Sequence, residues 1–303
     1  MTDPITAPGA VPDSVVAPGT GPITESVAAP GTGSDHEPIK EPAHGEPALG
    51  ARADGPPPLA AGLTFHGPLS EARAARIVAR LAATSPGTVL DIGCGRGELL
   101  LRVLAAAPGA HGVGIDINAD DLALGRRLAA ERGLAERVEY ASESARGTGR
   151  GPADTVLCLG SSHALLDPDL PHDPAAALRE LRRLVRPGGR VLLGEGFWER
   201  TPDDTELARM WPGAQAADHV PLDVLVDLAV EAGFRPAWIE TATREEWEEF
   251  ESGYRHATEL WLAAHPGHPL APQTRDRVDR QRSAWLGYRK LFGIAYLTLV
   301  PVD

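Results

Sequence analysis

Cysteine is nearly absent from this 303-residue chain; only Cys94 and Cys158 occur. That scarcity argues against a disulfide framework and makes a reducing compartment the natural setting. No apolar run of about 18 residues occurs, so no membrane-spanning helix is expected. Basic side chains are in deficit, 29 Lys and Arg against 42 Asp and Glu, for a net charge of −13. This balance argues against a broad nucleic-acid-binding surface and leaves room only for a local basic patch. The first residues lack the basic-then-apolar order of a secretory signal, so a soluble cytoplasmic protein is expected. There is no G-x-S-x-G nucleophile elbow and no Gly-Lys-Ser/Thr phosphate loop. His265-Pro266-Gly267-His268 lies in a proline-rich turn without nearby cysteines, so it reads as a loop and no metal site is expected.

What the chain does have is unevenly spread. Residues 1–60 hold 12 of the 28 prolines, repeat Ala-Pro-Gly-Thr-Gly at 17–21 and 29–33, and carry eight acids against Lys40 and Arg52. Such a segment cannot bury enough apolar surface to offset its chain entropy, so it reads as a disordered acidic tail dispensable for catalysis. An ordered domain is expected over 61–303. Ser70 can cap a helix whose apolar face takes in Ala74, Ile77, Val78 and Leu81.

The domain is organised around Thr88-Val89-Leu90-Asp91-Ile92-Gly93-Cys94-Gly95-Arg96-Gly97-Glu98-Leu99-Leu100. An apolar β-branched run breaks at three alternate glycines and resumes as an apolar helical pattern. That order predicts a strand, a tight turn and a helix N-terminus, the ligand-binding corner of a doubly wound α/β sheet. A dinucleotide fingerprint would read G-x-G-x-x-G, and its third glycine would fall here at Glu98. Carboxylates at Asp91 and Glu98 would repel a pyrophosphate but attract an ammonium or a sulfonium. S-adenosylmethionine (SAM) carries both, and the charge argument favours it.

On these residues the chain resembles the class I SAM-dependent methyltransferases. Asp91–Gly97 looks like their first motif, Gly114-Ile115-Asp116-Ile117 like their second-strand motif, and Leu184–Leu193 like the turn into their fifth strand. The resemblance implies a Rossmann-like seven-stranded doubly wound sheet, its last strand antiparallel, with helices on both faces. It also implies SAM across the carboxyl ends of the first strands, bound by Asp91, Gly93, Cys94, Gly95, Gly97, Asp116, Ile117 and Leu159. Asp116 lies 19 residues beyond Gly97, where a carboxylate can accept both ribose hydroxyls. Where many relatives carry a Gly-Asp pair for adenine, this chain has Glu143-Ser144, so either residue would make that contact.

The acceptor side is read from strand ends. His163 follows the fourth strand, and Glu195, Phe197 and Trp198 follow the fifth, while His66 lies in an entry loop able to fold over the site. His163 and Glu195 are therefore the candidate bases, with packing roles equally open for the histidine. Phe197, Trp198 and His66 are candidate substrate contacts. The stretches around His163 and Glu195 also resemble a largely uncharacterised bacterial subgroup of small-molecule methyltransferases. Trp247, Phe250, Tyr254 and Trp261 share one helical face, and Val278, Trp285, Tyr288 and Phe292 another, which predicts a two-helix cap over about 242–292. The expected function is methyl transfer from SAM to a small-molecule acceptor, with neither nucleic acid nor membrane as partner; oligomeric state is not legible. A SAM-binding protein without transferase activity and a nicotinamide-dependent oxidoreductase are the alternatives.

Overall fold

The computed structural model describes residues 55–302. The expected tail lies outside the described residues up to position 54. Residues 57–60 already belong to the ordered domain: Thr258 Oγ1 donates to the Pro57 carbonyl at 3.2 Å, and Ala60 N–H to the Tyr254 carbonyl at 2.9 Å.

Seven strands form one sheet in the order β3-β2-β1-β4-β5-β7-β6. They are β1 (Thr88–Ile92), β2 (His111–Asp116), β3 (Val138–Ser142), β4 (Ala153–Leu159), β5 (Val185–Trp198), β6 (Phe234–Thr241) and β7 (Phe292–Pro301). β1 to β5 run parallel, and β7 is antiparallel to both β5 and β6. The central strands are apolar on both faces because both are covered. Leu90, Ile92, Val156, Cys158, Val191 and Leu193 point into one core, while Val89, Leu157 and Leu192 point into the other.

Three helices cover the second of these cores on its far side: α1 (Glu71–Ala82), α2 (Glu98–Ala106) and α3 (Ala119–Glu131) all contribute to it. The first core is closed by α4 (Pro174–Leu184) and α6 (Leu222–Glu231). The predicted face of α1 is buried as expected, and Ser70 caps it by accepting the Arg73 amide. A short α5 (Asp204–Leu207) precedes α6. Between β6 and β7 stand α7 (Arg244–Ala264) and α8 (Ala271–Tyr288), packed against each other. The ring of Trp247 lies 5.9 Å from Tyr288, and Trp261 and Leu262 pack around Val278, so the two predicted stripes meet.

β5 is the element that departs most from its sequence reading. The apolar run predicts a strand over Arg190–Leu193, but the strand extends through Trp198. The reason is β7, whose register continues from Gly194↔Tyr296 to Trp198↔Phe292. Backbone pairing with a long neighbour holds Gly194-Glu195-Gly196 extended where local sequence would end the strand.

Candidate functional site

The turn after β1 closes on positive-φ backbone at three places, Gly93 (+61°), Gly95 (+52°) and Gly97 (+71°). Two of these glycines are also required by close approach. A side chain on Gly93 would collide with Ser161, and one on Gly97 would lie 2.5 Å from the Tyr140 hydroxyl. At Gly95 the space beyond the backbone is open, which leaves the turn accessible to a ligand.

Asp116, half-buried at the end of β2, locks the turn to its neighbour. One carboxylate oxygen accepts the Gly95 N–H at 2.7 Å and the other the Asn118 N–H at 2.8 Å. Each oxygen keeps a lone pair for a further donor. The next side chain, Ile117, is 80% exposed, and among the described residues it is the most exposed large hydrophobic. An apolar side chain so exposed beside an oriented carboxylate suits a nucleoside: hydroxyls on Asp116, a flat base on Ile117.

Asp91 is buried beneath this turn. Among the described residues no side chain forms an ion pair with it, and burial together with the Asp116 charge pushes its carboxyl well above the usual range. A cationic ligand group would reverse that shift. Glu98 does not share this role. Arg102 Nε and Arg132 Nη2 donate to its carboxylate at 2.7 Å each, and these partners outweigh burial to hold it below the usual range. The negative charge at the corner therefore comes from Asp116, joined by Asp91 when a cation lies beside it, and Glu98 is a structural ion pair.

The remaining expected cofactor contacts are placed as follows. Cys94 and Leu159 are half-buried at the same corner, the Cys94 amide bonded to the Ile115 carbonyl at 3.0 Å. Glu143 has both oxygens on Arg150, at 3.1 and 3.0 Å, and Ser144 accepts the Arg146 amide at 3.2 Å. His66 is exposed and lies 3.1 Å from Arg96 of the glycine turn, whose guanidinium also donates to the Leu63 carbonyl. The segment before α1 is thus tied to the turn.

On the acceptor side the structure separates the candidates. His163 is exposed in a short helical turn after β4. Glu195 is buried, and its partner is His172, whose Nε2 lies 3.5 Å from Glu195 Oε1. Sequence reasoning passed over His172, which lies in the segment before α4. Phe197 and Trp198 are each 1% exposed. Phe197 packs into the core beneath α4 and α6, and the Trp198 indole donates to the Ala216 carbonyl at 2.9 Å among Trp211, His219 and Phe292. Neither offers a free face to a substrate in this conformation. Cavities of about 400 Å³ along Asp204–Ala214 and about 320 Å³ at the amino ends of β1, β2 and β4 include no residue of the glycine turn.

Comparison with known proteins decides the family. A model of the methyltransferase domain matches residues 90–191, the stretch from β1 to β5 that holds the glycine turn and Asp116. A SAM-dependent methyltransferase from Geobacter sulfurreducens, solved with S-adenosyl-L-homocysteine (SAH), superposes with a TM-score of 0.68 at 25% identity, covering 79% of this chain and 94% of its own. This chain is a class I SAM-dependent methyltransferase. The uncharacterised Escherichia coli protein YjhP is 28% identical to this methyltransferase over 239 residues, 78% of this chain and 93% of YjhP. Its crystal structure superposes with a TM-score of 0.66. A ubiquinone biosynthesis O-methyltransferase from Aeromonas salmonicida is 38% identical over 109 residues, but the match spans only 41% of that enzyme. The cofactor of this methyltransferase is accordingly SAM, which the charge of the corner favours. Among the described residues no helix is long and apolar enough to cross a membrane.

Proposed function

We propose that this methyltransferase moves a methyl group to a small cytoplasmic acceptor, with the cofactor seated across the ends of β1, β2 and β4. The observation that carries the reading is Asp116, its carboxylate aimed by the Gly95 and Asn118 amides and flanked by exposed Ile117. Asp116 would accept the ribose hydroxyls, Ile117 would cover the adenine, and Gly93, Gly95 and Gly97 would let the backbone approach the amino-acid end. Buried Asp91 would offset the positive charge of that end.

Bound SAM supplies a methyl carbon on a positively charged sulfur, which leaves as a neutral thioether. The chain's own work is then to align the acceptor and keep water out. His163 and Glu195 stand at the mouths of β4 and β5 as candidate groups for any proton the acceptor releases. The partial match to quinone-pathway O-methyltransferases supports an oxygen acceptor as the first class to screen.

Calorimetry tests the cofactor assignment. Wild type should bind SAM and SAH and not NAD. Asp116→Ala should weaken SAH by about 10- to 100-fold, the worth of roughly 1.5–3 kcal/mol for hydrogen bonds to a charged group. A folded Asp116→Ala protein with unchanged affinity would remove Asp116 from the site.

A further inference from the structure

Glu195 is the one acidic side chain on β5, and the fold gives it no structural task. Its strand neighbours are Gly194 and Gly196, and its register partner on β7 is Ala295. Glu195 is 7% exposed and its carboxylate, unlike that of Asp91, has a side-chain partner among the described residues. That partner is His172, 3.5 Å away, and the same imidazole nitrogen lies 3.4 Å from Ser162 Oγ.

Contacts run without a gap from this pair to the glycine turn. Ser161 Oγ donates to the Ile92 carbonyl at 2.5 Å, and its side chain fills the space a side chain on Gly93 would need. Ser162 follows directly and meets His172. Glu195 itself lies one residue past the last paired position of β4 and β5, Leu159↔Gly194, where the Gly160 amide bonds the Gly194 carbonyl at 2.8 Å. This is the carboxyl edge between two parallel strands, the place where open α/β sheets bind ligands.

We propose that His172 holds the Glu195 carboxylate at the methyl-transfer point, where it takes a proton from the acceptor, so that the acceptor is a hydroxyl or a protonated amine. The proposal rests on the SAM-dependent reading above. The acceptor's oxygen or nitrogen forms the new bond to the methyl carbon. The sulfur–carbon bond breaks with its electron pair left on sulfur, and the acceptor's proton passes to Glu195, which ends as a neutral acid. Glu195 is the group that touches the acceptor; His172 acts through it as a positioning residue.

The experiment needs no known acceptor. Sinefungin carries C–NH3⁺ where SAM carries S⁺–CH3, so it places an ammonium at the transfer point, whereas SAH leaves that point empty. Calorimetry on the full chain gives the ratio of the two affinities. Wild type should prefer sinefungin, and Glu195→Gln should lose at least about tenfold of that preference while SAH affinity stays within about twofold. His172→Ala should lose a smaller part, and His172→Gln, whose amide can donate to Glu195, should retain most of it. A merely structural pair would move both ligands together. An unchanged ratio in Glu195→Gln with SAH binding intact overturns the proposal. If Glu195→Gln does not fold, His172→Ala with the wild-type ratio overturns it. Wild type binding SAH without preferring sinefungin fails this proposal alone; wild type binding neither ligand fails the cofactor reading as well.

Discussion

Glu246 is the side chain whose loss should be felt furthest from its own position. It sits in the first turn of α7, where Thr243 and Glu246 form a reciprocal capping box. Its carboxylate also accepts the Ser70 hydroxyl at 2.7 Å, the Ser70 amide at 3.2 Å, and Arg73 Nε and Nη2 at 2.8 Å each. One carboxylate therefore joins the starts of α1 and α7. Burial raises its pKa, but the bonds from Arg73, Thr243 and Ser70 prevail and hold it at about 2. Against about 4.3 for an unfolded glutamate this difference is worth about 3 kcal/mol at neutral pH. The folded value is the depressed one, so the stabilisation is fully present above about pH 5 and declines as pH falls from about 4.3 towards 2. Glu246→Gln removes the charge and turns an amide N–H₂ towards donors, so it should cost about 3 kcal/mol at pH 7 and roughly half that at pH 3. Urea unfolding of both proteins at the two pH values measures it. A difference below 1 kcal/mol at pH 7, or one that does not shrink at pH 3, would refute the account of Glu246 as a charged keystone.

Gly97→Ala combines a left-handed backbone at φ +71° with a collision against the Tyr140 hydroxyl and ring. It should destabilise by about 2–4 kcal/mol, read as a lower Tm, and should abolish SAH binding in whatever protein remains folded. Deleting residues 1–54 should leave Tm and SAH affinity unchanged, as expected of an acidic, proline-rich segment that cannot build a core. Deleting residues 1–63 should lower Tm by about 5 °C, because it also removes the Pro57, Ala60 and Leu63 carbonyl and amide contacts to α7 and Arg96. Equal Tm values for the two truncations would show that these contacts carry no net stability.

The features legible in the sequence are those written in adjacent residues. The β1 run, the three glycines and Asp116 state a strand, a turn and a carboxylate locally. Asn118 caps α3 and Ser70 caps α1 as their side chains suggest. The capping box Thr243-x-x-Glu246 was equally local and is a signal that could have been found. Its reach to Arg73 was not, although an arginine buried next to Ala74 and Ile77 on an apolar helix face implies an acidic partner somewhere. His172 left no such trace. It stands in a loop without periodicity, and only the packing of that loop over the end of β5 brings it to Glu195.

Phe197 and Trp198 show why aromatic residues at a strand end are hard to read. A strand that stops at Leu193 would present them to a ligand as a pocket wall. A strand that continues buries them, and which happens is decided by the length of β7, whose residues lie about a hundred positions further along the chain. Sequence pattern alone cannot fix that pairing, because hydrophobic aromatics satisfy either outcome. Once β7 reaches Phe292 and seals the strand, the side chains still open around the carboxyl edge are those on loops: His66 before α1, Ile117 after β2 and His163 after β4. The sheet then fixes the positions of the carboxyl groups Asp91, Asp116 and Glu195, and the loops supply the exposed surfaces around them. That division follows from the physics of the two parts. A strand paired on both sides fixes where its carboxylate stands, whereas a face that must admit and release small molecules has to remain exposed.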